Sequence, residues 1–310
     1  MAIRNFRWED IPAIADLESR LLQNEGNTAS ASQQSVQEHL GQPNLHVEED
    51  LFLYEVNGSL GGLALVCLEP PIKRSVLILR IHPDHEAQGI EQALVQVALK
   101  RARELKASVL HVQVPQGSPW SKLLEEEGFN AVRVYWVMRW DVQGLPAIEI
   151  PEGFSFRTYG RAGDAETLTR IQNASFGVSW GFSPNTPEEI AYRADMSMTS
   201  HQGIIFLSEG EAVSGYCWTL ILGRGKWKVG VISMIGIDPA YRQRRLGKPL
   251  LKAGLEYLSS QGVGHVELEV DGENKPATRL YLSMGFKKVA ERHWFEASLE
   301  APSSPDTPSL

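Results

Sequence analysis

The chain repeats itself at long range. Ile3-Arg4, followed by Glu9-Asp10-Ile11 and a helical run to Leu21, returns as Phe156-Arg157, then Gly163-Asp164-Ala165 and a helical run to Phe176. The two arginines lie 157 − 4 = 153 residues apart. Leu51 to Gly58 and Gly203 to Gly210 both read as a strand entering a glycine turn, and Leu77 to Pro83 and Met234 to Pro239 as strands ending at proline. Gly128-Phe129 recurs as Gly285-Phe286, 157 residues on. A nearly constant offset is what duplication followed by loop insertions and deletions leaves behind, and it restricts the chain to two copies of one plan. Each copy alternates helices with strands, so the expected class is α/β (α+β), with two tandem domains that each carry a mixed sheet covered by helices.

The expected division places the first domain at 1–140, a linker bearing Pro and Gly at 141–153, and the second domain at 154–299. Residues 300–310 cannot bury a core and are expected to be disordered. Asp10 and Asp164 are expected at the N-cap or first turn of matching helices.

A net charge of −8 and a pI near 5.6 exclude a general nucleic-acid or anionic-membrane binder, which needs a broad positive surface. Arg242, Arg244, Arg245 and Lys248 are therefore a local feature of an acidic chain. The only two cysteines, Cys67 and Cys217, fall in different halves, which argues against a structural disulfide and fits a reducing cytoplasm. No apolar run has the length of a signal core or membrane span, so a cytoplasmic location without membrane partners is expected. Oligomeric state is not legible.

One half carries a concentrated signal. An apolar strand runs through Ile235 and Ile237 into Arg242-Gln243-Arg244-Arg245-Leu246-Gly247-Lys248, and an amphipathic helix follows at once. Such a turn presents free backbone N–H groups and fixed positive charge where a pyrophosphate can sit. Downstream lies Asn274-Lys-Pro-Ala-Thr-Arg-Leu-Tyr-Leu-Ser-Met-Gly-Phe286. By itself Asn274 reads as a helix cap and Tyr281 as a half-buried packing residue.

Together these segments resemble the GNAT N-acetyltransferase superfamily. Its pyrophosphate turn reads Arg/Gln-x-x-Gly-x-Gly/Ala, and its second motif reads Asn-x-x-Ala-x-x-Leu-Tyr-x-x-x-Gly-Phe. Asn274, Ala277, Leu280, Tyr281, Gly285 and Phe286 match the second motif, and Arg242 and Gly247 match the turn. Arg245 stands where the first glycine is usual, which is tolerable if its φ is negative. The resemblance implies a mixed, mostly antiparallel sheet flanked by helices in each domain, acetyl-CoA as co-substrate, no metal, and direct transfer to a primary amine of a small molecule or peptide. It places the cofactor along Ile235, Ile237, the turn from Arg242 to Lys248, Asn274, Ala277 and Tyr281. The Ile237 backbone N–H would polarise the thioester carbonyl, and Tyr281 would protonate the departing thiolate.

In the first half Glu86 and Glu91 fall where Arg242 and Gly247 stand, and Leu124 falls where Tyr281 stands. Carboxylates there would repel a pyrophosphate, so the first half reads as structural or as a substrate wall. On the acceptor side, Phe176 to Ile190 resembles a Trp-Gly-x-x-Pro-x-Thr-x-Glu-Glu loop of a superfamily subset, with Trp180 and Phe182 as substrate contacts or packing anchors and Thr186 as a helix start. A glutamate that tandem members place on the strand before the turn falls on Val231 here. Glu267 and Glu269, alternating on one strand face, are the alternative bases, with His201 a third. A non-catalytic acyl-CoA-binding or regulatory protein, or a transferase of longer acyl groups, remains open.

Overall fold

The computed structural model describes residues 2–24, 30–86, 88–142, 144–223 and 228–300. The expected tail beyond Glu300 lies outside them. The first half runs β1 (Ala2–Asn5), α1 (Ile11–Asn24), α2 (Gln33–Leu40), α3 (Val47–Asp50), β2 (Leu51–Val56), β3 (Ser59–Glu69), β4 (Arg74–Ile81), α4 (Ile90–Glu104), β5 (Val109–Pro115), α5 (Trp120–Glu126) and β6 (Asn130–Asp141). The second runs β7 (Phe154–Thr158), α6 (Asp164–Phe176), α7 (Pro187–Ala194), β8 (Thr199–Glu209), β9 (Ala212–Leu222), β10 (Val229–Ile237), α8 (Gly247–Ser260), β11 (His265–Asp271), α9 (Lys275–Ser283) and β12 (Lys287–Ser298). None of the described helices is long and apolar enough to cross a membrane.

The duplication is visible in an ion pair as well as in element order. Arg4 grips Asp10 through two bonds of 2.7 Å, and Arg157 grips Asp164 at 2.9 and 2.8 Å, tying each half's first strand to its first helical segment. Asp164 is the first residue of α6, and it also accepts the Gly160 and Arg161 backbone N–H groups. Burial pushes its carboxyl pKa up, but the Arg157 bond and the two backbone bonds outweigh that, and the net shift is downward.

The twelve strands of the described residues form one sheet in the order β1-β2-β3-β4-β5-β12-β6-β11-β10-β9-β8-β7. Two pairings are parallel, β4 with β5 and β10 with β11; the other pairings are antiparallel. The halves exchange their last strands: β6 lies beside β11 of the second half, and β12 beside β5 of the first. The exchanged strands pair with each other about a local twofold, with Lys287 opposite Arg139 and Asn130 opposite Glu296. Since 287 − 130 = 296 − 139 = 157, each pair is the other's counterpart in the duplication.

The exchange reaches into the cores. Phe295 and Ala297 of β12 are buried among Leu94, Ala98 and Leu110 of the first half, whereas Met138 and Trp140 of β6 are buried among Leu250, Leu255 and Leu268 of the second. A division of the chain at 140 and 154 therefore does not divide the sheet, because each half's core is completed by a strand from the other. The pattern of each strand is readable from sequence; which half receives it is not, since β6 and β12 read alike. The intervening segment is not free either, as Leu145 and Ile148 pack against the second-half core.

Candidate active site

The site begins where two parallel strands part. β10 and β11 pair only from Val229 to Val231 with His265 to Glu267, and beyond that they diverge. A β-bulge interrupts the pairing of β10 with β9 between Ile232 and Met234, at the point of divergence. Bulges bend a strand and re-aim its groups, so this one gives the splay a local cause. Past the bulge the register runs evenly to Ile237 opposite Gly215, and the Asp238 N–H donates to Ser214 O at 2.8 Å. Alternation along an antiparallel ladder then directs the N–H groups of Ile235 and Ile237 away from β9, into the opening.

The basic turn follows. Gly247 opens α8, and a Cβ on it would come within 3.2 Å of Leu280 of α9, so the absence of a side chain lets the two helices close up. The first-turn N–H groups of Gly247 and Lys248 have no intrahelical acceptor. Arg245 has φ +60° and Gln243 φ +66°. The condition of a negative φ at Arg245 is not met: the turn takes the left-handed conformation there, at a cost of roughly 1–2 kcal/mol for a residue with a side chain. The first-half counterpart, found by aligning Pro83 with Pro239, is Gly89, which has φ +80°.

The turn's cations are not equivalent. Arg244 is committed to Glu209 through bonds of 2.6 and 3.1 Å and lies over the Phe154 and Tyr241 rings. Arg242 donates to Ser175 O at 2.9 Å, bracing the turn against the end of α6. Among the described residues no carboxylate lies within ion-pair reach of Arg245 or Lys248.

Beside the splay is a cleft of about 500 Å³. It brings together Ile235, Asn274, Ala277, Tyr281, Glu269, Trp180 and Phe182 from the residues expected on sequence grounds. Asn274 caps α9 by accepting the Ala277 N–H at 3.1 Å, so it is both cap and cleft wall. Tyr281 is 7% exposed and packs against Phe286 at 5.7 Å between ring centroids. Burial, foremost, pushes its phenol pKa well up, so it stays protonated at neutral pH.

The two strand carboxylates separate. Glu267 and Glu269 do share a face, but Glu267 is held by Arg139 at 2.7 Å and lies outside the cleft wall, although it stands opposite Val231 in the ladder. Glu269 lines the cleft with Arg292 at 2.7 Å. His201 bonds to Asp195 at 2.8 Å and is likewise outside the cleft wall.

Four further lining residues, Arg133, Tyr135, Asp271 and Glu273, escaped the sequence reading. Arg133 bonds Asp271 at 2.7 Å and Glu273 at 2.6 Å. Arg133 and Tyr135 belong to β6, and only the strand exchange brings a first-half segment to this wall; alternation of Arg133 with Tyr135 is a signal of a shared face but not of its destination. The first half itself shows the same parting of strands, β4 pairing with β5 only from Arg74 to Leu77, but Glu86 stands for Arg242, buried Glu91 for Gly247 and buried Leu124 for Tyr281.

Residues 165–286 match the Acetyltransferase (GNAT) family. Among curated proteins, a mycothiol acetyltransferase of Stackebrandtia nassauensis is 31% identical over 247 residues, covering 77% of this chain and 79% of the relative. Another, from Nocardioides sp., is 31% identical over 243 residues, covering 73% and 79%. Among solved structures, a GCN5-related N-acetyltransferase from Sphaerobacter thermophilus superposes with a TM-score of 0.73 at 23% identity, over 97% of this chain and 96% of the other. A tandem GNAT protein from the clavulanic acid biosynthesis pathway gives 0.75 at 17% identity, over 97% and 99%. Both of these likenesses speak to the fold.

Proposed function

Because the chain belongs to the GNAT acetyltransferase family, we propose that it transfers acetyl from acetyl-CoA to a primary amine, in the cleft between β10 and β11 of its second half. The observation that carries this reading is the bulged splay of β10 and a protonated Tyr281 in one cleft wall, with the open N-terminus of α8 packed through Gly247 on Leu280, the residue before Tyr281. The pantetheine arm would pair with the free edge of β10, and the pyrophosphate would sit over the Gly247 and Lys248 N–H groups with Arg245 and Lys248 as counter-charges.

The amine attacks the thioester carbonyl directly, a tetrahedral oxyanion forms, and it collapses with loss of the thiolate. Holding both reactants in one cleft contributes about 7–11 kcal/mol of the barrier reduction. The Ile237 N–H, directed into the opening, stabilises the oxyanion by about 3–4 kcal/mol. Tyr281 donates its proton to sulfur. Burial keeps that phenol protonated at neutral pH, as a donor must be. Glu269 is the carboxylate placed to take the amine's proton, directly or through water.

The acceptor is read as a small-molecule amine. The mycothiol acetyltransferase relatives support that class, and the three carboxylates Glu269, Asp271 and Glu273 stand against two cations, Arg133 and the Arg292 paired with Glu269, a negative balance that favours an amine arriving as its cation. The test is acceptor-dependent release of free thiol from acetyl-CoA across a panel of primary amines. Saturable release with at least one amine is the expected result. Tight acetyl-CoA binding with no release for any amine would replace catalysis with acyl-CoA sensing.

A further inference from the structure

The segment between α6 and α7 leaves the second half and lies on the first. Its base is clamped by two bonds between Asn173 and Asn185, 2.9 and 3.0 Å, and its arms close through Phe176 against Phe182 at 5.6 Å. The tip, Trp180-Gly181, crosses to the face of β4 and β5. There the Trp180 ring meets His111 of β5 at 5.1 Å, Trp294 at 5.8 Å and Tyr135 at 6.3 Å, with the Arg133 guanidinium at 5.9 Å. Gly181 (φ +65°) abuts the guanidinium of Arg74, and a Cβ at this position would run into it. Arg74 is itself 7% exposed and ion-paired with Glu69.

This seat is poorly designed for packing alone. His111 bonds Glu296 at 2.7 Å through Nε2, but its Nδ1 and the Trp294 Nε1 are buried without a hydrogen-bond partner among the described residues. A buried polar atom left unpaired is destabilising, a penalty that Leu or Phe in the same places would avoid. Aromatic rings with polar edges surround one particular side chain at the wall of the cleft: His111 and Tyr135 come from the half whose own turn carries glutamates, and Trp294 from β12, which is inserted beside that half's β5.

We infer that the first half is a positioning device for the acceptor side: His111 and Arg74 hold the Trp180-Gly181 tip, and thereby fix the wall against which the amine is presented. The inference rests on the acetyltransferase reading for what the wall presents, but not for the seating itself. His111 and Arg74 are positioning residues, since they act through Trp180 and Gly181.

Hydrogen exchange on the full-length chain separates the two. In His111→Ala the amides of residues 179–183 are expected to exchange about tenfold faster, while those of β10 and α8 keep their rates and acetyl-CoA affinity stays within about twofold. His111→Phe, which restores a ring beneath Trp180 without the Glu296 bond, is expected to return the loop rates to within about twofold of the original. Arg74→Met provides an independent variant and should release the same segment. Unchanged loop exchange in both His111→Ala and Arg74→Met overturns the inference, as does equal acceleration across β10 and α8. Failure of the acetyltransferase reading would appear separately, as an absence of amine-dependent thiol release in the unaltered protein.

Discussion

Tyr281→Phe is expected to slow acetyl transfer about 100-fold or more while leaving acetyl-CoA affinity within about twofold. The substitution removes one hydroxyl from a ring whose packing against Phe286 is kept, so the wall of the cleft should not move. Burial keeps that hydroxyl protonated, and only a step that consumes its proton should notice the loss. A thiolate expelled without a proton donor is a poor leaving group, and the penalty falls on turnover rather than on binding. Steady-state turnover and calorimetric affinity measured side by side check this. Equal turnover would remove Tyr281 from the chemistry and leave solvent as the proton source.

Trp140→Ala is expected to cost about 3–5 kcal/mol of stability and to loosen the second half, although Trp140 lies on the last strand of the first. It is 1% exposed and lies opposite Val266 in the ladder, within the buried second-half cluster that includes Leu255, Leu258 and Val266. Because β6 and β12 complete each other's cores, the variant and its parent should both unfold in one transition, with the variant's midpoint lower. Denaturant unfolding followed by exchange at sites in each half tests this. Two separated transitions in the parent would mean that the exchanged strands do not couple the halves.

Local features of the site could be read from sequence because their causes are local. The Asn274 cap, the glycine opening α8 and the Thr186 capping box with Glu189 are each set by a few consecutive residues. The duplication was equally readable, and the paired Arg4–Asp10 and Arg157–Asp164 bridges repeat it in three dimensions. What could not be read depends on pairing across long sequence separations. Arg133 and Tyr135 reach the cleft only because β6 is inserted between β12 and β11, a choice that strand composition does not encode. Glu267 and Glu269 look interchangeable on one strand, and only their partners, Arg139 for one and Arg292 at the cleft for the other, separate them. The left-handed φ of Arg245 was missed for a different reason. A side chain in the place of a glycine suggests a relaxed backbone, whereas the turn kept its shape and took on the strain.

The measurement that bears most directly on a single cofactor site at the basic turn of the second half is calorimetric titration of acetyl-CoA into the full-length protein. The account predicts one site per chain, with affinity reduced at least about tenfold in an Arg242→Ala/Arg245→Ala variant. Two sites per chain, or one site indifferent to that double substitution, would contradict it.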